Sequence, residues 1–257
     1  MAIKRHVPNF ITLLNLMSGG IAAIFAVQGN LIMAAVFVGL GIFFDFFDGL
    51  AARALDVKSE MGLQLDSLAD MITSGLVPGI VMYQLLLKAL PGDLITSKEW
   101  AGTGTWWEWN FPILALIGLF ITAASGYRLA KFNIDERQTD SFIGLPTPAN
   151  ALLILSLPLI LAYQPHPWAV GLILNEWFLI ILTLVSCYML NAEIPLFALK
   201  FSDWSFGKNK LRYSFIAYCL LMIILFQFIA IPVIILSYVI LSLLFPAERE
   251  QEEVVRG

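Results

Sequence analysis

Between residues 45 and 70 an otherwise apolar stretch carries four aspartates: Asp45 and Asp48, three apart, then Asp66 and Asp70, four apart. Side chains three or four apart on a helix share one face, so each pair projects from one side of its helix. An ionised Asp at the centre of a membrane-spanning helix costs about 2.5–3.5 kcal/mol on insertion scales. Four of them represent several kcal/mol that a partner must offset. The only cationic side chains close by in sequence are Arg53 and Lys58, too few for the task. An all-oxygen set of this kind suits a hard divalent cation, Mg²⁺ or Mn²⁺. Gly49 and Ala52 continue the first stripe, and Gly62 lies one turn before Asp66. Small residues there either let helices pack closely or let a flat nucleotide reach the backbone.

The elements that must position these groups are membrane helices. The chain has 257 residues, 59% apolar and 13% charged, with a mean hydropathy of +0.82. Soluble domains run nearer half apolar and a quarter charged, so a water-soluble enzyme is excluded. Runs of about 20 apolar residues, the length that spans a bilayer, fall near 9–28, 31–53, 66–90, 111–132, 147–164 and 168–189. The stretch 211–246 is too long for one span, and Gln227 and Pro232 divide it near 211–228 and 231–246. The expected fold is an all-α polytopic bundle of about eight spans, forming a single membrane domain over 1–257 without internal repeats.

Orientation follows from charge. Thirteen of the 15 Lys and Arg residues fall on one side of this arrangement, and only Lys88 and Lys98 on the other. Excess Lys and Arg marks the cytoplasmic side, so both termini are expected there. Met1 to His6 leads straight into the first apolar segment with no small-residue cleavage site, so no removed signal is expected. A wet loop over 91–110, a basic connection over 200–210 and a solvated acidic end at Glu248–Glu253 complete the outline. Cys187 and Cys219 sit in apolar runs and read as small buried hydrophobes. The net charge of −4 offers no footprint for nucleic acid.

The whole pattern is Asp45-x2-Asp48-Gly49-x2-Ala52-Arg53-x8-Gly62-x3-Asp66-x3-Asp70. It resembles the signature of the CDP-alcohol phosphotransferases, with every signature position filled. Three further stretches narrow the resemblance: Pro8-Asn9-x2-Thr12-x2-Asn15-x3-Gly19, Tyr127-Arg128-Leu129-Ala130-Lys131-Phe132-Asn133, and Phe142-Ile143-Gly144-Leu145-Pro146-Thr147-Pro148-Ala149. Together they are similar to the CDP-diacylglycerol–serine O-phosphatidyltransferases. One departure is Lys131, where that family more often has Arg; Lys keeps the charge and loses bidentate carboxylate binding. Read without the resemblance, Thr12 and Asn15 bond neighbouring helices, and Arg128 and Lys131 anchor lipid headgroups. Gly144 to Pro148 is then simply a helix start, with Pro in the first turn.

The resemblance implies a helical bundle with a polar cavity open to the cytoplasm, in what is expected to be a prokaryotic cell membrane. It implies two divalent ions (Mg²⁺ or Mn²⁺) held by Asp45, Asp48, Asp66 and Asp70, with Asp70 and Asp66 catalytic and Asp70 the base for the acceptor hydroxyl. Gly49, Ala52, Arg53 and Gly62 would line the CDP moiety, and Arg128, Lys131 and Asn133 would receive L-serine. The implied substrates are CDP-diacylglycerol and L-serine, with a homodimer as the implied assembly. Three alternatives stay open: another acceptor such as glycerol 3-phosphate or inositol phosphate, an ether-lipid donor, and, from a different class, a cation transporter. A transporter would show Gly/Pro-broken spans in symmetric repeats, which the sequence lacks.

Overall fold

The computed structural model describes residues 2–57, 59–90, 113–134, 142–196 and 210–244, and it is helical apart from one pair of two-residue strands. Helix α1 (Ala2–Val27) turns through Gly29 into α2 (Leu31–Ala54), whose start is capped by the Asn30 side chain accepting from the Met33 amide. A short link then leads to α3 (Glu60–Asp70). Its first turn begins earlier than the apolar run near 66, because Ser59 Oγ accepts from the Gly62 amide at 3.0 Å. Such a cap stabilises a helix start by about 1 kcal/mol.

From α3 the chain runs through a π-helical turn, Met71–Leu76, into α4 (Val77–Ala89). Pro78 supplies the reason. A proline cannot donate to the residue four back, and its ring crowds that carbonyl. The helix widens instead, with the Val77 amide donating to the Ile72 carbonyl five residues back. Asp70 is the last residue before this turn.

A 3-10 segment, Ile113–Leu119, opens α5 (Phe120–Ile134). Further on come α6 (Thr147–Tyr163), α7 (Pro167–Ile173), α8 (Glu176–Asn191), α9 (Lys210–Phe226) and α10 (Ala230–Leu244). Strand β1 (Phe142–Ile143) pairs antiparallel with β2 (Pro195–Leu196), tying the entry of α6 to the exit of α8. The Gly144 amide donates to the Ile194 carbonyl and the Leu145 amide to the Met189 carbonyl, both at 2.8 Å. The Gly144–Pro146 segment is therefore a clamp between two helices as well as a helix start.

Among the described residues, five helical runs are long and apolar enough to cross a membrane, and six if the pair α7 and α8, bent by 65°, is one broken span. α6 is apolar but shorter. Of the most apolar part of Glu60–Ala89, 56% is buried inside the protein, against 11% for Tyr213–Leu244. The first is the centre of the bundle and the second its edge. Val77, Val81, Met82, Leu85 and Leu86 form the heart of the core, while Phe10, Met17 and Ile24 of α1 face outward as an apolar, lipid-compatible surface.

Tyr213–Leu244 is strongly apolar on average, yet it is not one rod. The Tyr218 hydroxyl lies 3.0 Å from Ser237 Oγ, nineteen residues away, and the rings of Phe215 and Tyr238 are centred 5.9 Å apart. A straight helix would separate Tyr218 and Ser237 by about 28 Å. The chain doubles back at Gln227, which has φ 48°, so Lys210–Leu244 is a helical hairpin, divided where the polar Gln227 suggested. Gln164 at the end of α6 holds its turn, donating to the Phe226 carbonyl and accepting from the Ile229 amide at 3.1 Å each.

Gly144 has φ +75°, and a Cβ there would stand 2.7 Å from the Leu190 carbonyl oxygen. Gly144→Ala is expected to cost upward of about 1 kcal/mol, read as a lowered melting temperature in detergent. Gly39→Ala, where a Cβ meets nothing within 4 Å, should leave melting unchanged or slightly raised.

Candidate active site

The last two turns of α2 and the body of α3 face each other across the short link that joins them. One carboxylate oxygen from each of Asp45, Asp48 and Asp66 lies within 4.8 Å of the other two. Asp48 is buried, and its Oδ2 has no hydrogen-bond partner. Among the described residues, no Lys or Arg nitrogen comes within ion-pairing distance of any of the four aspartates. Three carboxylates held together without a counter-charge, one with an orphaned buried oxygen, fit a hard divalent cation. Asp70 stands one turn beyond Asp66, outside the tight trio but close enough to feel all three charges.

Beside the trio is a cavity of about 600 Å³. Gly49, Ala52, Arg53, Gly62 and Asp66 line it together with Asp48, so all four residues expected at the nucleotide border one space. Arg53 donates from Nε to the Gly49 carbonyl at 3.0 Å, which lays its guanidinium along the wall. At Gly62 a Cβ would come 3.2 Å from Asn9 Oδ1 and 3.1 Å from Ser59 Oγ. Its smallness therefore keeps the cavity wall open where α1 and the α3 cap meet.

The opposite wall comes from α1. Pro8, Asn9 and Thr12 line the cavity, and the Thr12 hydroxyl lies by the Asp48 carboxylate. Further along the same face, Asn15 is fully buried and accepts at Oδ1 from Thr73 Oγ1 at 2.7 Å. These residues were visible in sequence as a motif, but only the packing shows that α1 serves both aspartate helices. Thr73, Ser74 and Ser125 are buried polar residues that sequence reasoning missed. The single available signal was a hydroxyl within an apolar run.

The three residues expected to receive the acceptor part company. Arg128 of α5 is buried, its guanidinium carbon 6.0 Å from the Phe132 ring centre, within Coulomb reach of Asp70 and with Nε unpartnered. Lys131 points elsewhere and pairs with Glu193 at 3.2 Å. The Asn133 amide is engaged by Ser67 Oγ, at 2.9 Å from Nδ2 and 3.1 Å from Oδ1. That contact ties the end of α5 to α3. Asn150 of α6 is fully buried with neither amide atom bonded to the protein. Lys58, Arg137, Lys200 and Lys208 lie outside the described residues.

Comparison with known proteins agrees with this geometry. The family model for CDP-alcohol phosphatidyltransferase matches residues 5–189, and the chain belongs to that family. A CDP-diacylglycerol–serine O-phosphatidyltransferase of Bacillus subtilis is 35% identical over 167 residues, 65% of this chain and 82% of the relative. The enzyme of the same name from Mycobacterium leprae is 26% identical over 196 residues, 74% of this chain and 57% of the relative. An archaetidylserine synthase of Methanothermobacter thermautotrophicus is 27% identical over 152 residues, 58% of this chain and 56% of the relative. The chain thus spans only a little over half the length of the last two. The α9–α10 hairpin lies beyond the matched family region.

The carboxylate trio predicts metal binding without substrate. Asp48→Asn and Asp66→Asn should each weaken Mn²⁺ binding about 10-fold or more, since removing a charged ligand lowers affinity in an oxygen site. Glu176→Gln, at the start of α8, should leave it unchanged. Electron paramagnetic resonance of free Mn²⁺ in a detergent titration reads both.

Proposed function

We propose that this membrane protein transfers the phosphatidyl group of CDP-diacylglycerol to the hydroxyl of L-serine, releasing CMP. The observation that carries the reading is the trio of carboxylate oxygens within 4.8 Å on the wall of a cavity bordered by Gly49, Ala52, Arg53 and Gly62. Family membership supports the phosphotransfer, and the serine enzymes among the relatives support the acceptor.

In this reading Asp45, Asp48, Asp66 and Asp70 hold two divalent ions, Mg²⁺ or Mn²⁺. Divalent ions, when bound, neutralise pyrophosphate charge and stabilise CMP as a leaving group. The small residues admit the nucleotide against the α2 and α3 backbones, and Arg53 offsets phosphate charge. The serine oxygen forms a bond to the β-phosphorus of the donor, and the bond from that phosphorus to the CMP oxygen breaks, its electron pair leaving with CMP. Asp70 takes the hydroxyl proton as attack proceeds; Asp66, one turn before it, completes the catalytic pair. Arg128 is the cation for the serine carboxylate, because its planar fork binds both oxygens. Lys131 and Asn133 stand with it as the other residues proposed for serine, each exchanging its present partner, Glu193 or Ser67, when the acceptor binds.

The donor's acyl tails stay in lipid while its headgroup enters the cavity. The apolar runs of the sequence favour eight spans in one domain, the charge asymmetry favours both termini and the site on the cytoplasmic side, and the family resemblance favours a homodimer. The archaeal relative, named for archaetidylserine, supports one second reading, serine transfer onto an ether-linked donor.

Purified protein should release CMP from CDP-diacylglycerol only with Mg²⁺ or Mn²⁺ and with serine, out of a panel containing glycerol 3-phosphate and inositol phosphate. A parallel arm with the ether-linked donor separates the two readings. Asp70→Asn should lower turnover at least about 10²-fold; turnover in EDTA, or a preference for another acceptor, overturns the assignment.

Arg128→Lys should raise the serine KM about 10- to 150-fold, the equivalent of about 1.5–3 kcal/mol for a charged hydrogen bond, with CDP binding intact. An unchanged serine KM in both Arg128→Lys and Arg128→Ala returns Arg128 to a headgroup anchor.

A further inference from the structure

Asn15 is completely buried near the middle of α1, where an amide side chain is costly unless both its ends are used. Its oxygen is used: Thr73 Oγ1 donates to it at 2.7 Å. Its nitrogen is not bonded to any protein atom, and it neighbours the Asp70 carboxylate. Thr73 follows Asp70 by three residues, inside the π-helical turn. One amide therefore spans the hydroxyl and the carboxylate that share a face of the central helix.

The amide is also locked. A Cβ at Gly41 of α2 would stand 2.8 Å from Asn15 Oδ1 and would run into the Thr73 side chain. A Cβ at Gly19, one turn along α1, would collide with Thr73 Oγ1. Gly19 of α1 and Gly41 of α2 thus close on the pair at positions where a Cβ would collide with it. Because the Thr73 hydroxyl donates to the amide oxygen, the nitrogen must face the other way.

We propose that Asn15 is a positioning residue for Asp70, donating from Nδ2 to one carboxylate oxygen and leaving the other aimed at the acceptor hydroxyl. This rests on Asp70 being the base of the proposed reaction. Thr73 acts one step further out by fixing which end of the amide meets Asp70. The bond from Nδ2 closes fully when substrate is bound, as catalytic hydrogen bonds that are long in the free enzyme commonly do.

Four variants test this: Asn15→Ala, Thr73→Val, the double variant and Asp70→Asn, each in full-length protein. Turnover is measured at saturating serine and CDP-diacylglycerol, together with CDP affinity, Mn²⁺ affinity and melting temperature. Asn15→Ala should lower kcat at least about 10-fold, with both affinities within about twofold of the parent and melting little changed. The Thr73 hydroxyl keeps a fallback acceptor in the Asn15 carbonyl, 3.3 Å away. Thr73→Val should lower kcat less, and the double variant should be no worse than Asn15→Ala, because both act through one amide. Unchanged kcat in Asn15→Ala beside an inactive Asp70→Asn overturns the Asn15 assignment alone. Substantial turnover in Asp70→Asn overturns the base reading and this inference with it. Loss of kcat, both affinities and melting temperature together makes Asn15 a packing residue and overturns the proposal. If Asn15→Ala fails to purify, an unchanged kcat in Thr73→Val does the same.

Discussion

Mutual repulsion among closely held carboxylates organises this protein. Two like charges at the separations within the Asp45–Asp48–Asp66 trio repel by about 3–4 kcal/mol at an effective dielectric near 20. Such a cluster persists only if the helices that carry it are anchored elsewhere. The Ser59 cap starts α3 at a fixed point, the turn at Gly29 and Asn30 locks α1 against α2, and Ser67 and Asn133 pin α5 to α3. The repulsion is then a standing attraction for a cation, and the cavity at its side is where a polyanion with bound metal would relieve it.

The π-helical turn sets the second half of the arrangement. It falls directly after Asp70 and places Thr73, Ser74 and Gly75 in the buried interior. An uninterrupted α-helix would rotate these groups around the axis and point the polar side chains differently. The same turn is held by Thr122 Oγ1, which donates to the Gly75 carbonyl at 3.2 Å. A backbone irregularity of this kind often marks a functional site. Here its local cause is Pro78, and its effect is to bring a hydroxyl from the central helix under the amide of α1.

The aspartate cluster was legible because its information is local: fixed spacing on two helices joined by a short link leaves the carboxylates little freedom to diverge. Gly49, Ala52, Arg53 and Gly62 were legible for the same reason, and they border one cavity. The acceptor side was not. Arg128, Lys131 and Asn133 lie on a single helix end, and spacing alone cannot say that Lys131 turns to Glu193 while Arg128 turns inward. Those partners come from α3 and from the chain after α8, far away in sequence. The π turn was likewise hidden, although Pro78 was in plain view. The hairpin was half legible: Gln227 marked the break, but only the Tyr218–Ser237 contact shows that the chain reverses.

The hairpin turn bears on depth in the bilayer. Helices α9 and α10 have 17 and 15 residues, about 25 and 22 Å of rise, against a hydrocarbon thickness of about 30 Å. An ordinary turn at that depth would leave backbone groups bare in a medium with no water to satisfy them. Gln164 removes part of that difficulty, because its amide serves the Phe226 carbonyl and the Ile229 amide from within the protein. The apex is thus wetted by a side chain rather than by solvent. Two helices shorter than the hydrocarbon core can thus meet at a turn without leaving its backbone polar groups to the lipid.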